Sequence, residues 1–191
     1  MKKILLISLI GALSLVAIGL TAYLYFLPTP ETISLESHHI DKERGFKINY
    51  PSTFTPKEIL DKDKDEVSLE IVQPAPQLTV TVWQESGLGL LETFSSQPLL
   101  QQLRDNVDRR FSSAYPEIEK EGVNGVDLAG QEAFSVQLTF RRPKALNRER
   151  MHLTVTTRNE SAYYVQCLTP VADWDEVKEL CLAITGSFEF L

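Results

Sequence analysis

Histidine and cysteine are scarce in this chain, three and two among 191 residues. A structural zinc site needs about four nitrogen or sulfur ligands, so Cys167 and Cys181 alone are too few. They are not spaced Cys-x-x-Cys, which excludes the usual dithiol redox motif. There is no Gly-x-Ser-x-Gly elbow, no phosphate loop and no His-Glu-x-x-His. Positive charge is also short: 19 Lys and Arg stand against 26 Asp and Glu, a net charge of -7. Nucleic-acid binding needs a basic face, so that class is set aside. No repeat recurs at solenoid periods. These shortages predict a chain that is not an enzyme and holds no metal or cofactor.

Two patterns imitate a metal site and fail on inspection. Asp61, Asp63 and Asp65 have calcium-loop spacing, but the sixth position is Glu66 instead of Gly and the twelfth is Val72 instead of Glu. His38, His39, Asp41 and Glu43 cluster, yet adjacent histidines on an extended chain point to opposite sides. Both read as solvated segments.

What is abundant is apolar sequence, and its first block is at the N-terminus. Lys2 and Lys3 precede an uncharged run from Ile4 to Leu27. As a helix the run would be about 36 Å long, enough to cross a hydrocarbon core of about 30 Å. It ends in Tyr23, Tyr25 and Phe26, the residues of an interfacial belt, and Pro28 and Pro30 then stop it. We read residues 1–27 as a signal anchor, with a cleaved signal peptide, cut at the "LTA" of Leu20–Ala22, as the alternative. No cysteine follows the run, so a lipoprotein anchor is excluded. The lysines place the N-terminus in the cytoplasm and everything after about residue 30 outside it. Residues 28–44 read as a polar stalk with room for one short strand, and 45–191 as the globular domain.

Within that domain the hydrophobic period changes several times. Phe46, Ile48 and Tyr50 alternate, as do Val67, Leu69 and Ile71, then Leu78, Val80 and Val82, and Val136, Leu138 and Phe140. Each set predicts a strand. Residues 52–66 read as a charged loop, and 124–130, "NGVDLAG", as a turn-containing connection. Two further strands around His152 and Tyr164 are joined by the turn "RNES". Leu99, Leu103, Val107 and Phe111 recur every fourth residue and predict a helix, with Pro98 in its first turn. A second helix starts at Asp173, where Asp173 and Glu176 have capping-box spacing. Strands, helix, strands, helix with short connections is an α+β pattern.

The stretch "GFKINYPSTF", the ending "YYVQC", a Trp-containing acidic helix and a terminal "SFEF" resemble the PsbP-like and DcrB-like domains. The resemblance covers about residues 40–191. It implies an α/β/α sandwich around a central, mostly antiparallel sheet, here with one N-terminal transmembrane helix added. Members of this group have diverse roles, so the resemblance implies a fold more than a function.

Two features of this domain invite a role. In an oxidising compartment Cys167 and Cys181 tend to pair, since a helix folding back on its own sheet brings such positions together. A loop of about 15 residues closed this way gains roughly 3 kcal/mol. Two unbonded core cysteines are the alternative. Arg141, Arg142, Lys144, Arg148 and Arg150 crowd one hairpin of an acidic protein, which suits an anionic surface or an acidic partner; a solubilising loop is the plainer reading. Leu88, Leu90 and Leu91 form a lesser candidate, a mobile binding loop or a sheet cover. The sum predicts an inner-membrane, single-pass accessory or binding module engaging a protein partner of the envelope. A chaperone for hydrophobic segments is the alternative, favoured by an exposed apolar groove. An envelope hydrolase is a more remote one, favoured by an accessible His152.

Overall fold

The structure, a computed structural model, describes residues 33–61, 66–89, 97–112, 115, 117–143 and 145–191. The apolar leader, Asp63 and Asp65, Leu90, Leu91 and Lys144 lie outside the described residues. Among the described residues no helix is long and apolar enough to cross a membrane.

The chain forms β1 (Ser37–Asp41), β2 (Phe46–Tyr50), β3 (Thr55–Asp61), β4 (Glu66–Pro74) and β5 (Gln77–Glu85). Helix α1 (Leu99–Ser112) follows, then β6 (Glu119–Leu128), β7 (Gln131–Phe140), β8 (Glu149–Arg158) and β9 (Ser161–Pro170). A 3-10 turn (Val171–Asp173), helix α2 (Trp174–Gly186) and β10 (Glu189–Phe190) complete it. β1, β2 and β10 make a small sheet; the other seven strands lie in the order β3-β4-β5-β9-β8-β7-β6. All pairings are antiparallel. The passage from β5 through α1 carries the chain to the far edge, and the meander β6 to β9 returns it beside β5. The result is an α+β fold with a mostly antiparallel sheet.

Side-chain alternation sorts the large sheet into two apolar faces. Val80, Val82, Val165 and Cys167 pack with Trp174, Val177, Cys181 and Ile184 of α2 and with Phe46, Ile48 and Phe188 of the small sheet and its approach. Phe134, Val136, Leu138, Phe140, Met151, Leu153 and Val155 point the other way, where Val107, Leu103 and Phe111 of α1 meet them. The two helices therefore lie on opposite faces, each presenting the stripe its sequence spacing dictates.

Turn chemistry fixes the registers. The β8–β9 hairpin turns on Asn159 (φ 51°) and Glu160 (φ 60°), the paired positive angles of a two-residue turn that follows strand twist. The β6–β7 hairpin turns on Ala129 (φ 55°) and Gly130 (φ 73°), and the Asp127 carboxylate accepts the Gly130 N–H at 2.9 Å. Three local expectations are corrected. Residues 55–61, read as a loop, form β3, because Pro56 sits on an edge strand, where a missing N–H is tolerated. "NGVDLAG" is strand as far as Leu128: a bulge at Glu121/Val123 realigns β6, so the Asn124–Gly125 dipeptide continues the ladder. Asp173 precedes α2 but makes no side-chain cap; its carboxylate instead accepts the Gln77 N–H at 3.0 Å, tying the helix start to β5.

Candidate functional site

The arginine-rich segment joins two of the longest strands, β7 and β8. Phe140 pairs with Glu149 to close it, and the Ala145 N–H donates to the Arg142 carbonyl at 3.0 Å. The Val171 N–H donates to the Arg148 carbonyl, also at 3.0 Å, anchoring the loop base to the turn before α2. Leu146 stands out from the loop, 93% exposed. A leucine so placed carries no packing role in the fold.

The charges around it are not bare. The Arg142 Nε lies 2.6 Å from Glu149, and Arg148 reaches Glu119 at 2.8 Å. Arg150 pairs with Glu121, donates to Thr139 Oγ1 at 3.2 Å and lies 5.7 Å from the Trp174 ring centre. Arg141 is exposed and in no ion pair among the described residues. With Arg148, Glu117, Ile118 and Glu119 it lines an open hollow of about 390 Å³. Glu119 and Glu121 come from β6, across β7 from the arginines that hold them. Exposed pairs of this kind add about 0–1 kcal/mol, so their main effect is to orient the guanidinium groups. The structure thus brings Arg141 and Arg148 to one hollow, keeps Arg142 on the same loop as the exposed leucine, and sets Arg150 back over the Trp174 ring.

The cysteines are bonded. Cys167 of β9 and Cys181 of α2, both fully buried, are joined by a disulfide with their Cα atoms 6.0 Å apart. It ties the helix to the middle of the sheet. His152 lies beside Cys167 in the register and is only 7% exposed. Its Nε2 is 3.4 Å from Thr154 Oγ1, and its buried Nδ1 has no hydrogen-bond partner. Burial pulls its pKa below the usual histidine range. The ring is thus enclosed within the fold. His38 and His39 occupy successive positions of β1 and therefore face opposite ways. Among the described residues no three His, Cys, Asp or Glu side chains are arranged to hold a metal ion. Leu88, the described member of the leucine-rich segment, packs against the α1-side core, and its N–H donates to the Glu160 carbonyl at 3.1 Å.

One cluster had no sequence signal. Tyr164 donates its hydroxyl to Glu85 at 2.5 Å, and Arg110 lies 3.0 Å from the same carboxylate and 3.3 Å from the Tyr164 oxygen. Trp83 stacks on the Tyr164 ring, centroids 4.7 Å apart. Burial, then the hydrogen bond to Glu85 and its charge, pushes the Tyr164 phenol well above its ordinary pKa, so it remains a donor. These residues come from β5, α1 and β9, three elements that only the crossover topology brings together. They pin the end of α1 to the sheet.

The sequence model of the PsbP family matches residues 36–190. No curated protein matches significantly. Among solved structures, the solution structure of the cyanobacterial PsbP (CyanoP) of Synechocystis is similar at a TM-score of 0.57 and 14% identity, over 85% of this chain and 96% of that one. The Ran-binding protein Mog1p of Saccharomyces cerevisiae is similar at 0.55 and 10% identity, over 82% and 96%. At such identities the likeness is one of fold.

Proposed function

This chain belongs to the PsbP family, and on that premise we propose that it is a non-catalytic accessory module, held at the inner membrane by residues 4–27 with its C-terminal domain on the extracytoplasmic side. There it binds a protein partner of the cell envelope through the β7–β8 hairpin. The observation that carries this reading is the hairpin tip: Leu146, 93% exposed, on the same loop as Arg141, which is in no ion pair among the described residues. An apolar knob on a loop rich in guanidinium groups suits an interface in which the leucine is buried and acidic side chains meet the arginines. The yeast neighbour is itself described as a Ran-binding protein, which supports the fold's use as a protein-binding scaffold. The enclosure of His152 speaks for a binding role over an acid–base one.

The test is site-specific photo-crosslinking at position 146 in intact membranes. A discrete adduct is expected, weakened about tenfold or more by Arg141→Glu, with Arg142→Glu and Arg148→Glu adding to the loss. An adduct of equal yield in all variants, or none at all, overturns the reading.

A further inference from the structure

The far edge of the large sheet has a second surface of defined chemistry. β6 is the last strand in the order, paired only with β7. Its outer row of N–H and C=O groups meets no strand among the described residues. Edge strands normally guard themselves with bulges, prolines or lysines. Here the bulge at Glu121/Val123, with Gly122 at φ 71°, covers the first half. From Val123 to Leu128 the register is regular, with no proline or lysine. Its one charged residue, Asp127, has a carboxylate oxygen engaged by the Gly130 N–H.

Gly125 lies in this unguarded half. It has no positive φ, and a Cβ built on it meets nothing within 4 Å, so neither strain nor crowding requires glycine there. It lines a cavity of about 200 Å³ between β6 and α1, together with Leu100, Phe134, Pro98, Arg104 and Glu132. On the opposite face Val126 is 38% exposed. Charge gives the direction. Asp127 and Glu132 sit directly opposite each other in the register, and neither is in an ion pair among the described residues. Like charges so placed repel. Arg104 is the one cation in the lining, and the whole chain carries a net -7.

We propose that the Val123–Leu128 half of β6 accepts an extended segment of a protein partner as an added strand. An apolar side chain of that segment enters the Gly125 cavity, and a basic side chain two residues away settles beside Asp127 and Glu132. Main-chain hydrogen bonds along the edge supply affinity, and the alternate side chains on the α1 face supply selectivity. This deepens the accessory-module reading and rests on it, but it uses a different surface from the hairpin tip.

The test uses the full-length protein in detergent micelles and capped, labelled peptides of about eight residues. In one, threonine alternates with leucine and lysine; a second carries glutamate for lysine; a third is the lysine peptide N-methylated on alternate residues, which removes one hydrogen-bonding edge. Anisotropy reports affinity, and amide hydrogen exchange reports where the peptide sits. The lysine peptide should bind at least about tenfold tighter than the other two and slow exchange within Val123–Leu128. Gly125→Val should keep the fold and lose about tenfold in binding, and Glu132→Lys should reverse the preference between the two charged peptides. No binding, equal binding of all three peptides, or binding unchanged by Gly125→Val overturns the proposal. So does a dimer in sedimentation that Gly125→Val abolishes, which would assign the edge to a second copy of the chain. The position-146 adduct is scored separately, so either surface can fail alone.

Discussion

His152 is where a single residue most clearly shapes behaviour. Its ring is buried with Nδ1 unpartnered, and burial lowers its pKa in the folded state. The unfolded chain then binds a proton at higher pH than the folded one. Stability is therefore full above the unfolded value, about pH 6.5, and declines as pH falls through it toward the folded value. The melting temperature should drop between about pH 7.5 and pH 5.5, and His152→Leu should flatten that drop. A drop of the same size in the variant would assign it to other groups. Asp41 acts in a lower window: burial opposes its charge, but the Arg44 N–H and guanidinium outweigh that and hold its pKa below 3.8, so its contribution is lost only as pH falls past that value. Trp174 is the other residue with a large predicted effect. It is buried at the start of α2 beneath the Arg150 guanidinium, and Trp174→Ala should cost about 3–5 kcal/mol in chemical unfolding.

Among the elements, the disulfide and the hairpin turns decide most. The Cys167–Cys181 bond closes a loop of sequence separation 14 and should contribute about 2–4 kcal/mol. The double variant Cys167→Ala, Cys181→Ala should unfold at correspondingly lower denaturant, and wild type in reductant should move toward it. Two glycines of neighbouring elements give opposite expectations. Gly130 holds φ 73° in the β6–β7 turn with open space around it, so Gly130→Ala should cost about 1–2 kcal/mol through the backbone alone. Gly125→Val, in extended conformation, should leave stability equal or raised. These elements also show what the sequence could and could not reveal. The alternation at Val80/Val82 and Val136/Leu138/Phe140, and the four-residue stripe of α1, were legible because each reflects a local period. β3 was not, because Pro56 and the charges around it mask an edge strand. The run of β6 through Asn124–Gly125 was not, because that dipeptide favours turns unless a bulge realigns it. The hairpin arginines could be named from the sequence, but their glutamate partners on β6 could not, since only the ladder through β7 brings Glu119 and Glu121 within reach. The Tyr164–Glu85–Arg110 cluster depends on the crossover through α1 and left no local trace.

At the scale of the whole molecule, one acidic domain presents two features that its own packing does not use: an apolar knob among arginines at one end of the sheet, and an unguarded half-strand along its far edge. Both suit a protein whose work is to be bound. The leader's lysines, apolar run and aromatic end, and a buried cystine in the domain, are consistent with one location, outside the cytoplasm. That location is the central claim, and the state of the two thiols in living cells tests it most directly. Cells are quenched in acid, the protein is denatured, and a heavy maleimide is added with and without prior reduction. The account predicts no adduct without reductant and two with it. Two adducts on the unreduced chain would contradict it, placing the domain in a reducing compartment.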